Sequence, residues 1–251
     1  MTSLSDITSF LDENLRTAEI TDYPGAVNGL QLENGGSVTK VIAAVDASLP
    51  VIEKAVAAGG TLLIVHHGLF WQGAQPLTGP FYKKIRAAMD AGMAIYSNHL
   101  PLDVHPVWGN NACLAKAMGL TDTEPFMDWK GMPLGLRAEV EWTREELLHR
   151  VTEAVGAPVH HCPGGKDRIR SVGVVTGGAG AQVADAAKAG VDAFVTGEGP
   201  HWSYPLAEEL GINLVYGGHY ATETFGVKAL AMALQEEFGL EWEFVDHPTG
   251  L

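Results

Sequence analysis

The residues with most to offer chemically are histidines placed close to carboxylates. In "GGHYATE" (217–223) His219 and Glu223 stand four apart; at the first turn of a helix predicted over about 221–238 both project from one face. An imidazole and a carboxylate so placed form a two-point grip for a divalent metal, though a solvated helix start has the same spacing. "NHLPLDVHP" (98–106) repeats the spacing with His99 and Asp103, while Pro101 argues against a regular helix through the segment. Asp103 suits a bridging or terminal metal ligand, or else a turn or cap; His99 either ligates or orients, and His105 reads as structural. "LLIVHHGLFW" (62–71) stops an apolar run on His66 and His67. Neighbouring side chains on a strand point to opposite faces, so the pair is expected to diverge, at the kind of strand end where open α/β sheets bind ligands. In "TGEGPHW" (196–202) Glu198 is an acid at a strand end, a candidate general acid or base with an N-cap as the rival role.

The elements that must position these residues come as one plan used twice. Val41–Trp71 and Val172–Trp202 match without a gap at an offset of 131, each reading as strand, alanine-rich helix closed by glycine (Gly59 or Gly190), and second apolar strand. "IYSNHLPLD" then matches "VYGGHYATE" at an offset of 120, laying His99 on His219 and Asp103 on Glu223. Alanine-rich βαβ units resemble one another by composition; the matching polar positions are what favour an internal duplication. The expected fold is therefore α/β, with two similar lobes over 1–122 and 133–251 and a connecting segment at 123–132. The N-terminal Ile7, Phe10, Leu11 and Leu15 have the spacing of an amphipathic helix capped by Ser3 or Ser5.

Two other motifs carry less weight. "TGGAGAQVADAA" (176–187) resembles a dinucleotide-binding turn, but it lacks the third small residue at the proper spacing and a P-loop lysine, and its counterpart "VDASLP" has no glycine. "VHHCPGG" (159–165) resembles a ligand cluster, but the repeat aligns it with the plain "NGLQLE".

Composition sets the outer limits. The 251 residues are 46% hydrophobic and 18% charged, an ordinary globular balance, and the net charge of −14 comes with no basic stripe. Nucleic acid is thus an improbable partner, and a cation or a metal-chelated substrate a better one. Cys113 and Cys162 make no disulfide framework, no signal peptide is evident and no apolar stretch approaches a membrane span. A cytoplasmic protein is expected.

The blocks "NGLQLE", "HHGLFW", "NHLPLDVHP", "TGEGPHW" and "GGHYATE", in this order, resemble the signature of the Nif-three-like family, described as dinuclear metal centre hexameric proteins and labelled GTP cyclohydrolase I type 2 homologues. The resemblance implies two α/β lobes facing a metal-binding cleft, two divalent ions per chain and a homo-hexamer. Carried onto matching positions, His66, His67, Asp103, His219 and Glu223 are the implied ligands, with Glu198 and His99 close by in catalytic roles. The diverging His66 and His67 are then expected to serve separate ions. Iron, manganese, zinc, cobalt and nickel all suit such ligands. The implied activity is metal-dependent hydrolysis of a small, nucleotide-like substrate, by opening of the GTP imidazole ring or by phosphoester cleavage. The alternative is a non-catalytic metal-binding ring serving a regulatory or partner-binding role. Gly68 stands where the family usually has proline, and Trp202 where some members have a second histidine.

Overall fold

A computed structural model describes residues 2–251. Its elements in chain order are β1 (Thr2–Ser3), α1 (Leu4–Leu15), β2 (Gly29–Leu32), β3 (Ser37–Val38), β4 (Lys40–Asp46), α2 (Leu49–Ala57), β5 (Leu62–His67), α3 (Gly79–Asp90), β6 (Ala94–Ser97), α4 (Leu100–Asp103), α5 (Asn110–Ala117), β7 (Glu124–Trp129), β8 (Met132–Thr143) and α6 (Arg144–Val155). There follow β9 (His160–Pro163), β10 (Arg168–Val174), α7 (Val183–Lys188), β11 (Ala193–Thr196), α8 (Ser203–Leu210), β12 (Asn213–Tyr216), α9 (His219–Thr222), α10 (Thr224–Phe238) and β13 (Glu241–Phe244). Two compact units result. One comprises the chain up to His105 with Gly226–His247, the other Pro106–Phe225 with Pro248–Leu251.

In the first unit the strand order is β13-β4-β5-β6-β2, parallel from β13 to β6, with β2 antiparallel at the edge. Val41–Val45 and Leu62–Val65 are buried at every position. Consecutive apolar residues bury both faces of a strand, as a parallel sheet covered by helices requires. Helix α2 starts on Ser48, whose hydroxyl accepts the Val51 N–H at 3.4 Å, with Pro50 in the first turn where no amide is needed. Helix α1 buries Leu4, Ile7, Leu11 and Leu15, and Phe10 packs edge-on against Phe238 at 5.5 Å. Ser3 holds the predicted cap position, but its hydroxyl bonds the Ser5 hydroxyl rather than a helix amide.

The second unit orders its strands β7-β8-β10-β11-β12-β9. Val172, Val174, Val195 and Val215 pack with Leu147 and Val151 of α6, and Phe194 and Leu214 pack with Val183 and Ala207 in a second cluster. A reciprocal cap between Thr143 and Glu146 fixes the start of α6. The four strands β10-β11-β12-β9 have the order and polarity of β4-β5-β6-β2. The 131 offset holds for the first pair, where Val41 lies opposite Leu62 and Val172 opposite Ala193. At the third strand Leu62 faces Ala94 and Ala193 faces Asn213, an offset of 119 where the sequence match reads 120.

The units are not bounded at 122 and 133. Residues 124–129 form β7, which pairs antiparallel with β8 as a hairpin within the second sheet, so 123–132 is part of that unit and not a connector. Helix α5 packs on α6 and β8, which moves the boundary back to His105, while β13 pairs with β4 and α10 from Gly226 onward belongs to the first unit. Among the described residues no helix is long and apolar enough to cross a membrane.

Gly68, directly after the paired histidines, is required by a close approach. A Cβ there would lie 2.3 Å from Gln31 Nε2. Gln31 cannot easily withdraw, because its Oε1 accepts the Leu69 N–H at 2.6 Å and its Nε2 donates to the Ala26 and Val27 carbonyls at 3.0 and 2.9 Å. Gly68→Ala is expected to cost about 1–2 kcal/mol by displacing that amide. The check is urea unfolding of Gly68→Ala, Gln31→Ala and the double variant, the double costing little more than Gln31→Ala alone. A Gly68→Ala protein as stable as the parent would remove this account.

Candidate metal centre

In the first unit three imidazoles converge at the ends of β5 and β6. Nitrogens of His66, His67 and His99 all lie within 4.8 Å of one another. The ring centroids are 4.8 Å apart for His66 and His67, 4.8 Å for His66 and His99, and 5.7 Å for His67 and His99. The expectation that His66 and His67 diverge is therefore corrected. They close the strand, so their rings lean over its end, each drawn by an acceptor on a neighbouring strand. His66 Nδ1 donates to the Asn98 carbonyl beyond β6 at 3.0 Å, and His67 Nδ1 to Asp46 Oδ1 at the end of β4 at 2.9 Å.

His99 is held by a bracket of its own. Its Nδ1 donates to Asp22 Oδ1 at 2.9 Å and its backbone N–H to Asn28 Oδ1 at 2.7 Å, while Asp22 Oδ2 accepts from the Leu100 N–H and from Asn28 Nδ2. Burial alone would raise the Asp22 pKa. The hydrogen bond and charge of His99, aided by Asn28 and the Leu100 N–H, outweigh burial and hold it below the usual carboxylate range. As expected of Pro101, no regular helix runs through 98–106, only the single turn of α4. The proline occupies that first turn, where its missing amide costs nothing, and this one turn places buried Asp103 with Oδ1 3.5 Å from His66 Nε2. The ring of Trp71 stands edge-on to His99 at 4.7 Å and to His67 at 5.6 Å.

In the second unit the i, i+4 pair meets as its spacing predicts, with His219 Nε2 3.1 Å from Glu223 Oε2. The helix carrying it is broken, however. His219–Thr222 form a single turn, and α10 restarts at Thr224. The Thr222 hydroxyl bonds the carbonyls of Gly218 and His219, competing with the helical ladder. Glu198 caps no helix; its Oε1 instead accepts from His219 Nδ1 at 2.8 Å. Burial alone would lower the His219 pKa. The hydrogen bond and charge of Glu223, then those of Glu198, overcome it and raise it to about 9. At neutral pH the imidazole is a cation between two carboxylates, a proton standing where positive charge is wanted.

The glycine-rich turn after β10 serves this same group. Gly177 has φ of +69°, and a Cβ on it would lie 2.2 Å from Glu223 Oε1, so the turn makes room for a carboxylate. His160, His161 and Cys162 are absorbed by packing: His160 stacks on Tyr216, His161 faces Asn213 and Cys162 is buried.

One geometry recurs. His66, His67, His99 and His219 each engage Nδ1 with a carbonyl or carboxylate oxygen, an acceptor that requires the proton on Nδ1. In the neutral ring Nε2 is then the lone-pair donor, the arrangement of metal-ligating histidine. Histidine and carboxylate donors suit divalent transition metals, so the residues fit such a group. The sequence reading missed Asp22 and Asp46. Asp46 ends an apolar strand and could have been found from the rule about strand ends, whereas Asp22 lies in an irregular loop that carries no signal.

The family model of DUF34/NIF3 (NGG1p interacting factor 3) matches residues 2–249. A Deinococcus radiodurans protein named GTP cyclohydrolase 1 type 2 homolog is 39% identical over 249 residues, covering 98% of this chain and 94% of its own. A crystal structure of TTHA1606 from Thermus thermophilus superposes with a TM-score of 0.91 at 38% identity over the whole of both chains. A solved structure titled protein ybgI, unknown function, gives 0.92 at 33% identity, again over the whole of both chains.

The raised pKa has a sign that can be tested on metal-free protein. A histidine whose pKa rises on folding contributes stability that is complete below its unfolded value, near 6.5, and is lost as pH climbs through about 9. Chelator-treated protein should lose on the order of 2 kcal/mol between those limits, discounted for partial exposure. Urea midpoints across this range should fall for the parent and stay flatter for His219→Gln.

Proposed function

Because the chain belongs to the DUF34/NIF3 family, we propose that it is a dinuclear divalent-metal protein acting as a metal-dependent hydrolase on a nucleotide-like substrate. The observation that carries this reading is the shared tether of four histidines, each with Nδ1 occupied by an oxygen acceptor. The proposed ligands in the first unit are His66, His67, His99 and Asp103, and those in the second, taken by itself, are His219 and Glu223. His99 joins them because its nitrogen lies with those of His66 and His67. Within the first unit the nitrogens of His66, His67 and His99, up to 4.8 Å apart, suit one ion or a pair about 3.5–4 Å apart.

When bound, the two ions supply Lewis-acid polarisation of the substrate and activation of water. The remaining work falls to side chains. Asp22, Asp46 and the Asn98 carbonyl fix ring orientation and tautomer. Glu198 fixes His219 through Oε1 and, with 43% of its side chain exposed, carries protons between substrate and solvent. The name shared by the curated relatives favours hydrolytic attack on an electrophilic ring carbon, with phosphoester cleavage as the other reaction such a centre performs. Hexameric assembly and a cytoplasmic location are proposed with the same reading and rest on the family likeness. The internal duplication is proposed too, supported by the shared four-strand order.

Elemental analysis of the purified protein should find about two divalent ions per chain, and Asp103→Ala should lose at least one. Asp22→Asn and Asp46→Asn should weaken metal affinity by about 10–100-fold. Metal-loaded protein given GTP and a panel of phosphoesters should turn over one of them. Glu198→Gln should slow it by about 10²–10⁴-fold with metal retained. A parent without stoichiometric metal would end the reading, and metal without turnover would turn it towards a binding ring.

A further inference from the structure

Beside His67 the first unit has a cavity of about 670 Å³, within the size range of small-molecule sites. Its lining includes His67, Asp46, Trp71, Ser48 at the start of α2 and Lys84 on α3. Lys84 is the only lysine or arginine in that lining. It is half-buried, and its hydrogen bond goes to a neutral acceptor, Nζ to the Ala47 carbonyl at 3.1 Å; otherwise Nζ stands 5.8 Å from the Phe81 ring centroid. No carboxylate pairs with it among the described residues, although the chain carries 30 acidic residues against 16 basic ones. Desolvation pushes its pKa below the usual lysine range.

A partly desolvated ammonium without a counter-ion is an unfavourable arrangement that a bound anion relieves. Its tether to Ala47 holds Nζ next to Ser48, the cap of a helix whose N-terminal dipole adds to the positive field. Asp46, the nearby acid, is engaged by His67 Nδ1. Trp71, 36% exposed, adds a flat apolar surface to the lining.

We propose that this cavity is the substrate subsite for a phosphate-bearing small molecule, with Lys84 receiving the phosphate and the His67 end presenting the rest of the molecule to the reaction centre. The subsite deepens the function proposed above and rests on it for the direction in which substrate lies; the Lys84–phosphate contact itself does not need the metals. Lys84 determines specificity and takes no part in bond breaking.

The test is calorimetric titration of the full chain, metal-loaded and after chelation, with guanosine 5′-monophosphate and with guanosine. The monophosphate should bind more tightly than the nucleoside, and only its affinity should fall as salt is raised. Lys84→Gln, which keeps a donor for the Ala47 carbonyl, should weaken the monophosphate by at least about tenfold. It should leave guanosine unchanged, and Lys84→Arg should restore most of the loss. Unfolding midpoints of both variants should match the parent, separating a lost contact from a damaged fold. Lys84-dependent phosphate binding that persists in protein lacking metal or turnover would leave the subsite standing while the hydrolase reading fails. Equal binding of the monophosphate by parent and Lys84→Gln, or no advantage of monophosphate over guanosine, would overturn the proposal.

Discussion

A neutral imidazole carries its proton on one nitrogen and its lone pair on the other, so a contact at Nδ1 decides what Nε2 can do. Four histidines here have that choice made for them: by the Asn98 carbonyl for His66, Asp46 for His67, Asp22 for His99 and Glu198 for His219. Much of the surrounding structure follows from the need to supply those four oxygens. The parallel register sets His67 directly beside Asp46 on β4 and sets Val65 beside Ser97, so that the next residues, His66 and Asn98, meet past the strand ends. The loop before β2 has its side chains committed to the same end, with Asp22 and Asn28 holding both the ring and the backbone of His99.

The same logic explains local features that look unfavourable alone. Thr222 breaks a helix that the sequence could continue, and the break leaves His219 and Glu223 in contact while α10 starts afresh. The Gly177 turn has little to hold by itself. Its carbonyl takes the N–H groups of Gly197 and Glu198 at 2.8 and 3.0 Å, tying the glycine that clears space for Glu223 to the acid that orients His219.

How much of this was legible in the sequence depended on the range over which each contact acts. His219 with Glu223 could be read directly, because i, i+4 geometry is local. So could the buried strands, whose apolar runs need no partner to be identified. The convergence of His66, His67 and His99 could not, because period-two alternation describes a strand's interior and fails at its last residue, where neighbouring strands decide the direction. Asp46 was within reach as the polar end of an apolar strand, but its pairing with His67 needed the β4–β5 register, and Asp22 needed the path of an irregular loop. The hairpin at 124–143 is hidden because it falls between the two matching repeats, where a connector is expected, although Phe126 and Ala138 are buried in the sheet. The glycine-rich turn resembled a phosphate loop because both uses select glycine for close approach; only the neighbouring group distinguishes them, and here it is a carboxylate.

The arrangement also sets the energetic character of the metal-free protein. Asp22 and Asp46 pair with imidazoles rather than with lysine or arginine, and Glu198 and Glu223 share one histidine. Within each unit, carboxylates held close together with no lysine or arginine partner favour a folded chain that takes up positive charge. At His219 that charge is a proton, which is why its pKa rises despite burial. A divalent ion bound there, as proposed, would satisfy the same demand and displace the proton, coupling metal uptake to folding and to pH. The overall charge of −14 extends that preference beyond the site, favouring cations in the surrounding solvent over anions wherever local positive charge is lacking.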